Sequence, residues 1–200
     1  MTESRRAFRE LLELLDRIDA QYIGETGEYK SALDVADGHR LVLHGLRRAL
    51  GSQLEADTHR PVFQRAITPA MKFGGDSPDA LYHECNISAD CNYRIRGHMA
   101  GAVYVSLSVQ CGSSEADGVG ASINSEQFDV QADGSFEIRL SGKPPADTRN
   151  WLQLPEGALN VLMRHYFEEA GNVIADASRQ LDLEITALDD FPAPGEPTVE

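Results

Sequence analysis

From residue 61 onward, turn chemistry interrupts the chain so often that no long element fits between the breaks. Ser88-Ala89-Asp90-Cys91-Asn92, Ala132-Asp133-Gly134 and Gly142-Lys143-Pro144-Pro145 are the plainest of these signals. Between them apolar and polar residues alternate with period two, most clearly over 93–99 and 159–167. The pattern predicts strands near 62–67, 80–87, 93–99, 102–110, 127–131, 135–141, 150–154, 159–167 and 181–187. Many short strands after a helical start give a mainly β, α+β chain: an antiparallel jelly-roll-like β-sandwich preceded by an N-terminal helical hairpin.

The helical start reads differently. Phe8, Leu11, Leu12, Leu15, Ile18 and Tyr22 recur at spacings of three and four, so residues 4–22 carry one apolar helical face. Gly24-Glu25-Thr26-Gly27 ends it. Ser31 followed by Asp34 is an N-cap with an acidic first turn, opening a helix over 31–55 with Leu33, Leu41, Val42, Leu46 and Leu50 as apolar positions. Gly38 and Gly45 lie near one face of that helix, and each costs about 1 kcal/mol relative to Ala. Two readings stand side by side: a close helix crossing, or glycine tolerated in a packed helix. The expected divisions are a helical hairpin over 1–58, a sandwich over 59–188 and a flexible tail or linker over 189–200. Residues 111–124, rich in Gly and Ser, are expected as a loop, and 170–179 as a helical turn. No internal repeat is visible.

Composition narrows the partners. The chain has 200 residues and a net charge of −14, of which residues 61–200, with 9 basic and 21 acidic residues, carry −12. Such a surface repels nucleic acid and anionic membranes. No apolar run approaches the roughly 20 residues of a membrane helix. The opening MTESRRAFRE lacks the apolar centre of a secretory signal. Three cysteines, Cys85, Cys91 and Cys111, are odd in number and without metal-ligand spacing, which predicts free thiols and a cytoplasmic protein.

Three segments carry a family resemblance: Lys72–Tyr82 (KFGGDSPDALY), Tyr93–Gly97 (YRIRG) and Asn150–Pro155 (NWLQLP), the last followed by a strand holding Arg164. Together they resemble the bacterial family known as domain of unknown function 1214, over roughly Leu41 to Leu188. The resemblance implies the same β-sandwich and no particular reaction, since none is assigned to that family.

Candidate chemistry is thin. A hairpin about Asp90 would pair Glu84 with Arg96, Asn86 with Arg94 and Tyr82 with His98, leaving one apolar and one charged face. Glu84–Arg96 is then a surface ion pair, or Arg94 and Arg96 present their forks to a small anion. The Gly74–Asp79 turn is either a rigid corner or a backbone nest for an anion, and it lacks the Lys-Ser/Thr ending of a nucleotide loop. Asp76 and Asp79 have no ligand loop for calcium. The six histidines show no His-Glu-x-x-His spacing, so no metal and no cofactor are expected, and His83 is expected as a satisfied core residue. Ser106 and Ser108 lie on a strand rather than a nucleophile elbow, and Cys85 packs as a small hydrophobe. Trp151, with Leu152 and Leu154, is expected to anchor the two sheets. Arg164, between Leu162 and Tyr166 on one strand face, needs a carboxylate (Asp76, Asp79 or Glu84) or a ligand anion. The candidate ligand-binding residues are therefore Asp76, Tyr82, Arg94, Arg96, His98, Arg149 and Arg164. They fit a non-catalytic sandwich that binds a small molecule or a protein partner. The alternative is an enzyme acting on a small anionic or polar metabolite through an Arg/Tyr/His-lined cleft. Sheet faces also permit a homodimer.

Overall fold

Two helices open the chain in the computed structural model, α1 (Glu3–Ile18) and α2 (Ala32–Ala49). The structure describes residues 2–24, 31–54, 56–72, 74–112, 118–168 and 180–192. It separates into two units, Met1–Leu50 and Gly51–Glu200. In the first, the expected capping of α2 is present in full. The Asp34 amide donates to Ser31 Oγ at 3.2 Å and the Ser31 amide to Asp34 Oδ2 at 3.1 Å, so two amides that the helix leaves unpaired are satisfied. Each helix widens into a π-turn at its end, Asp19–Ile23 and Leu50–Leu54. His39 Nε2 lies 2.7 Å from Asp19 Oδ1, tying α2 to the end of α1. Ile23 and Gly38 are buried, but α1 contains no fully buried residue, and Leu33, Leu41 and Leu50 of the expected apolar stripe are exposed.

The second unit is built from β1 (Gln64–Arg65), β2 (Ala80–Asn86), β3 (Tyr93–His98), β4 (Tyr104–Cys111), β5 (Gly118–Asn124), β6 (Ser135–Ser141), β7 (Trp151–Gln153), β8 (Ala158–Tyr166) and β9 (Leu183–Ala187). They form a five-stranded sheet, β1-β2-β8-β4-β5, and a four-stranded sheet, β7-β6-β3-β9. All neighbours are antiparallel except β6 and β7, which run parallel. One core lies between the sheets: Leu81, Val105, Leu107, Val161 and Met163 from the first meet Tyr93, Ile95, Ile138 and Leu140 from the second. Burying such a side chain contributes about 1.5–3 kcal/mol. The mainly β, α+β expectation holds.

The hairpin about Asp90 does not. β2 pairs with β1 and β8, whereas β3 pairs with β6 and β9 in the other sheet. Glu84 therefore faces Gln64 and Leu162, and Arg96 faces Glu137. Period-two alternation cannot distinguish two strands side by side from two strands facing each other across a core, because both place Leu81 and Cys85 on the side of Tyr93 and Ile95.

What carries the chain across is a turn that the sequence contains twice. In Ser77-Pro78-Asp79-Ala80-Leu81-Tyr82 the Ser77 amide donates to the Tyr82 hydroxyl at 2.9 Å, and the Asp79 amide to Ser77 Oγ at 3.2 Å. In Ser88-Ala89-Asp90-Cys91-Asn92-Tyr93 the Ser88 amide donates to the Tyr93 hydroxyl at 2.9 Å, and the Asp90 amide to Ser88 Oγ at 3.2 Å. In both, the serine carbonyl accepts from the residue three places on. Ser-x-Asp-x-x-Tyr is thus a short repeat that launches β2 and β3. Its second copy goes further, since the buried Tyr93 hydroxyl also donates to the Thr58 carbonyl at 3.0 Å.

Three other expectations need correction. Residues 127–131 form no strand, because the Gln127 and Phe128 amides bond back to the Asn124 carbonyl and Phe128 drops into the core. Residues 118–124, expected within a loop, form β5. Its side chains are small and mostly exposed, so its ladder to β4, not its composition, makes it a strand. Of the three residues expected to anchor the sheets, Leu152 and Leu154 enter the core, whereas the Trp151 indole N–H donates to Ser141 Oγ at 2.8 Å within its own sheet. Residues 170–179 and 193–200 lie outside the described residues. Those of the expected tail that are described are held: Asn92 donates to the Asp189 carboxylate from its backbone at 2.6 Å and its side chain at 3.0 Å, and Phe191 stacks on His59.

Tyr93→Phe is expected to cost about 1–3 kcal/mol in urea unfolding, because it strands the Ser88 amide and the Thr58 carbonyl together. Tyr82→Phe removes one partner and should cost less.

Candidate functional site

β8 sits at the centre of the five-stranded sheet, so its outer side chains have neighbours on both sides. Leu162, Arg164 and Tyr166 face outward while Val161, Met163 and His165 enter the core, as the alternation predicts. Register sets Tyr82, Arg164, Ser106 and Asn124 in one row across four strands, with Glu84, Leu162, Ser108 and Ser122 in the next. The half-buried Arg164 guanidinium lies 6.0 Å from the centre of the Tyr82 ring and donates through Nη1 to Ser108 Oγ at 3.4 Å. Ser108 Oγ also receives Gln110 Nε2 at 2.9 Å. Tyr104 and Tyr166 pack with ring centres 5.8 Å apart at one end of the cluster. Among the described residues no carboxylate comes within salt-bridge distance of Arg164.

The other expected site residues are elsewhere, each with its own local partners. Arg96 Nε lies 2.9 Å and Arg94 Nε 3.9 Å from Glu137 Oε2 on the outer face of the four-stranded sheet. Arg149 Nε binds Asp129 Oδ1 at 2.8 Å, with Asn150 bridging the Asp129 and Glu137 carbonyls. His98 closes the 131–135 turn through the Asp133 carbonyl at 2.6 Å and accepts the Ala100 amide. Asp76 pairs with Lys72 at 2.5 Å, so the Gly-Gly-Asp corner carries its own cation. Gly74, at φ +65°, supplies the left-handed residue that this corner requires. The structure thus brings Tyr82 and Arg164 together, and leaves Arg94, Arg96, Arg149, His98 and Asp76 apart from them. No single cleft gathers the seven.

Two histidines do more than the sequence suggests. His83 is not a satisfied core residue: its ring lines a cleft, and its buried Nδ1 has no partner. His165 is fully buried with neither ring nitrogen in a normal hydrogen bond. Burial pushes both down to about 4, with Arg65 adding to the effect at His83 and His83 adding to it at His165. Both are therefore neutral near pH 7. Period-two alternation could place them inward but could not tell that nothing there bonds them.

Nucleophiles are equally unprepared. Ser108 Oγ donates to the Leu162 carbonyl at 3.3 Å and has no histidine partner. Cys85, Cys91 and Cys111 are all free, as expected, and burial pushes the Cys85 thiol up to about 12. Among the described residues no three His, Cys, Asp or Glu side chains form a metal cluster, and no helix is long and apolar enough to cross a membrane. Concave surface is available in the second unit. One cleft of about 270 Å³ is lined by Asp57, Arg60 and Glu84 to Asn86, and another of about 450 Å³ lies between β1, β2 and the approach to β9.

Residues 84–169 match the family described as protein of unknown function (DUF1214), which bears out the resemblance read from the motifs. The Lys72–Asp79 part of those motifs precedes the matched stretch. A crystal structure of an uncharacterised protein from Burkholderia cenocepacia shares the fold at a TM-score of 0.83 and 27% identity, over 98% of this chain and 53% of that one. The VPA0106 protein from Vibrio parahaemolyticus aligns at a TM-score of 0.44 and 17% identity, over 89% of this chain and 51% of that one. The chain therefore spans about half the length of these solved structures. No curated protein matches it.

The histidines make a pH test. An unfolded chain protonates them near 6.5, whereas the native state holds them neutral down to about 4. Their contribution is intact above pH 6.5 and is lost as pH falls toward 4, since the unfolded state binds the extra protons. His165→Met should therefore gain stability over the parent at pH 5 relative to pH 7, by about 1–2 kcal/mol in urea titrations. In a timed thiol titration of the native protein, half-buried Cys111 should react first and Cys85 only on unfolding.

Proposed function

We propose that Gly51–Glu200 is a non-catalytic binding domain whose Arg164 row receives the anionic group of a small molecule. The observation that carries this reading is a half-buried guanidinium held by a tyrosine ring and a serine hydroxyl, with no carboxylate at salt-bridge distance among the described residues. Three of its neighbours, Tyr82, Tyr104 and Tyr166, offer ring faces to the body of such a ligand. Arg96 and Arg149 already face the carboxylates of Glu137 and Asp129, so their charge is matched within the protein. An enzyme reading would need tyrosine, arginine and histidine to converge, and Arg164 stands on one sheet whereas Arg96 and His98 stand on β3 of the other. Three unbridged thiols suit a reducing compartment such as the cytoplasm. A protein partner is the other occupant of this face that the chemistry allows, through a carboxylate on its surface. The acidic composition opposes nucleic acid.

Thermal-shift titration with phosphate, malonate and 4-hydroxybenzoate tests the reading. At least one should raise the melting temperature of the parent but not of Arg164→Met, whose unliganded melting temperature should stay within about 5 °C. Arg164→Lys should respond weakly, keeping the charge and losing the fork. Equal shifts in parent and Arg164→Met, or none in the parent, would remove Arg164 from any binding role.

A further inference from the structure

The open edge of the sandwich holds a second arrangement, independent of the Arg164 row. β1 closes its sheet with only Gln64 and Arg65, and β9 is the edge of the facing sheet. The cleft of about 450 Å³ lies where these two edges meet, within the volume range of small-molecule sites. Phe63, Pro69, Leu181 and Leu183 form its apolar walls, and Phe63, Leu181 and Leu183 also pack against the main core, so the cleft is continuous with the interior.

Two polar groups converge there by register. Arg65 and His83 are direct cross-strand partners, and neighbours so paired have side chains on one side of the sheet. That side is the inner one, because Leu81 and Cys85 on the same face of β2 belong to the core. Both residues line the cleft, and the charge of Arg65 is felt by the His83 ring. No acidic side chain lines it among the described residues.

We propose that this cleft binds a small amphipathic carboxylate, its carboxyl group accepting hydrogen bonds from Arg65 and His83 and its hydrocarbon body lying against Phe63, Pro69, Leu181 and Leu183. One guanidinium beside a neutral imidazole matches a single negative charge. A phosphate dianion would leave charge and oxygen atoms facing apolar walls without donors. The guanidinium has five N–H donors, so an existing contact leaves it able to serve a ligand.

Calorimetric titration of the full chain with octanoate and with octan-1-ol tests the assignment. Octanoate should bind at least about tenfold more tightly than the alcohol, a difference of about 1.4 kcal/mol. Arg65→Gln should erase that preference while leaving the alcohol's affinity unchanged. Leu183→Trp, which fills the cleft, should abolish binding of both, and Thr68→Trp at the rim serves the same purpose if the first variant fails to fold. In the parent, octanoate should also shift the ring proton resonances of His83. Absence of octanoate binding at millimolar concentration, equal affinity for acid and alcohol, or undiminished binding in a folded cleft-filled variant would overturn the proposal.

Discussion

The passage of the chain from one sheet to the other between Ile87 and Tyr93 governs the whole β unit. At its start the Ile87 amide is still bonded to the Leu159 carbonyl of β8. Six residues later Tyr93 lies in the other sheet, opposite Leu140 and Ala187. A reversal into a hairpin would have kept β2 and β3 together and left no partner sheet to cover the inner face of β2. The Tyr93 hydroxyl prevents that reversal by accepting the Ser88 amide and donating to Thr58, holding the turn against a segment that precedes β1. Burial pushes its phenol above the usual range, so it remains a neutral donor throughout ordinary pH. The hydroxyl makes these two bonds in a fully buried setting, where loss of either leaves a desolvated backbone group.

Once the chain crosses there, the distribution of polar groups follows. Side chains of β2 that a hairpin would have set beside those of β3 are separated by the thickness of a core. Glu84 and Arg96, complementary in sequence, end on opposite outer faces, and Arg96 takes Glu137 instead. Inward positions on β2 and β8 must accept whatever the alternation supplies, including His83 and His165. Both stay neutral because a charged imidazole there would lack water and a counter-ion. Unpaired buried nitrogens of this kind are a cost to stability.

The chemistry on offer favours holding over converting. Catalysis by side chains requires a nucleophile or base with a shifted proton affinity near a second oriented group, whereas here the perturbed groups are moved away from reactivity: a thiol pushed up, imidazoles pushed down. Cationic groups half-withdrawn from water, at Arg164 and beside His83, suit the anion-binding reading proposed above. The Burkholderia cenocepacia protein extends over about twice the length matched here.

Local rules made several features legible from the chain alone. Ser31 with Asp34 starts a helix because capping is settled within one turn. Alternation over 159–167 sorts Arg164 and Tyr166 from Met163 and His165 because side-chain direction in a strand depends only on position. The Tyr93–Gly97 and Asn150–Pro155 segments, read as a family resemblance, fall within the stretch that matches the family model. Pairing was not legible. Period two says which way a residue points and nothing about which strand lies beside it, so the β2–β3 relation, the parallel β6–β7 contact and the strand character of 118–124 were decided by tertiary structure. The same holds for the sites. Arg65 sits in no motif, and it becomes a neighbour of His83 only because a two-residue edge strand pairs there. Arg96 and Arg164 look alike in sequence, and only the folded sheets give one a carboxylate and leave the other with a tyrosine face and a serine.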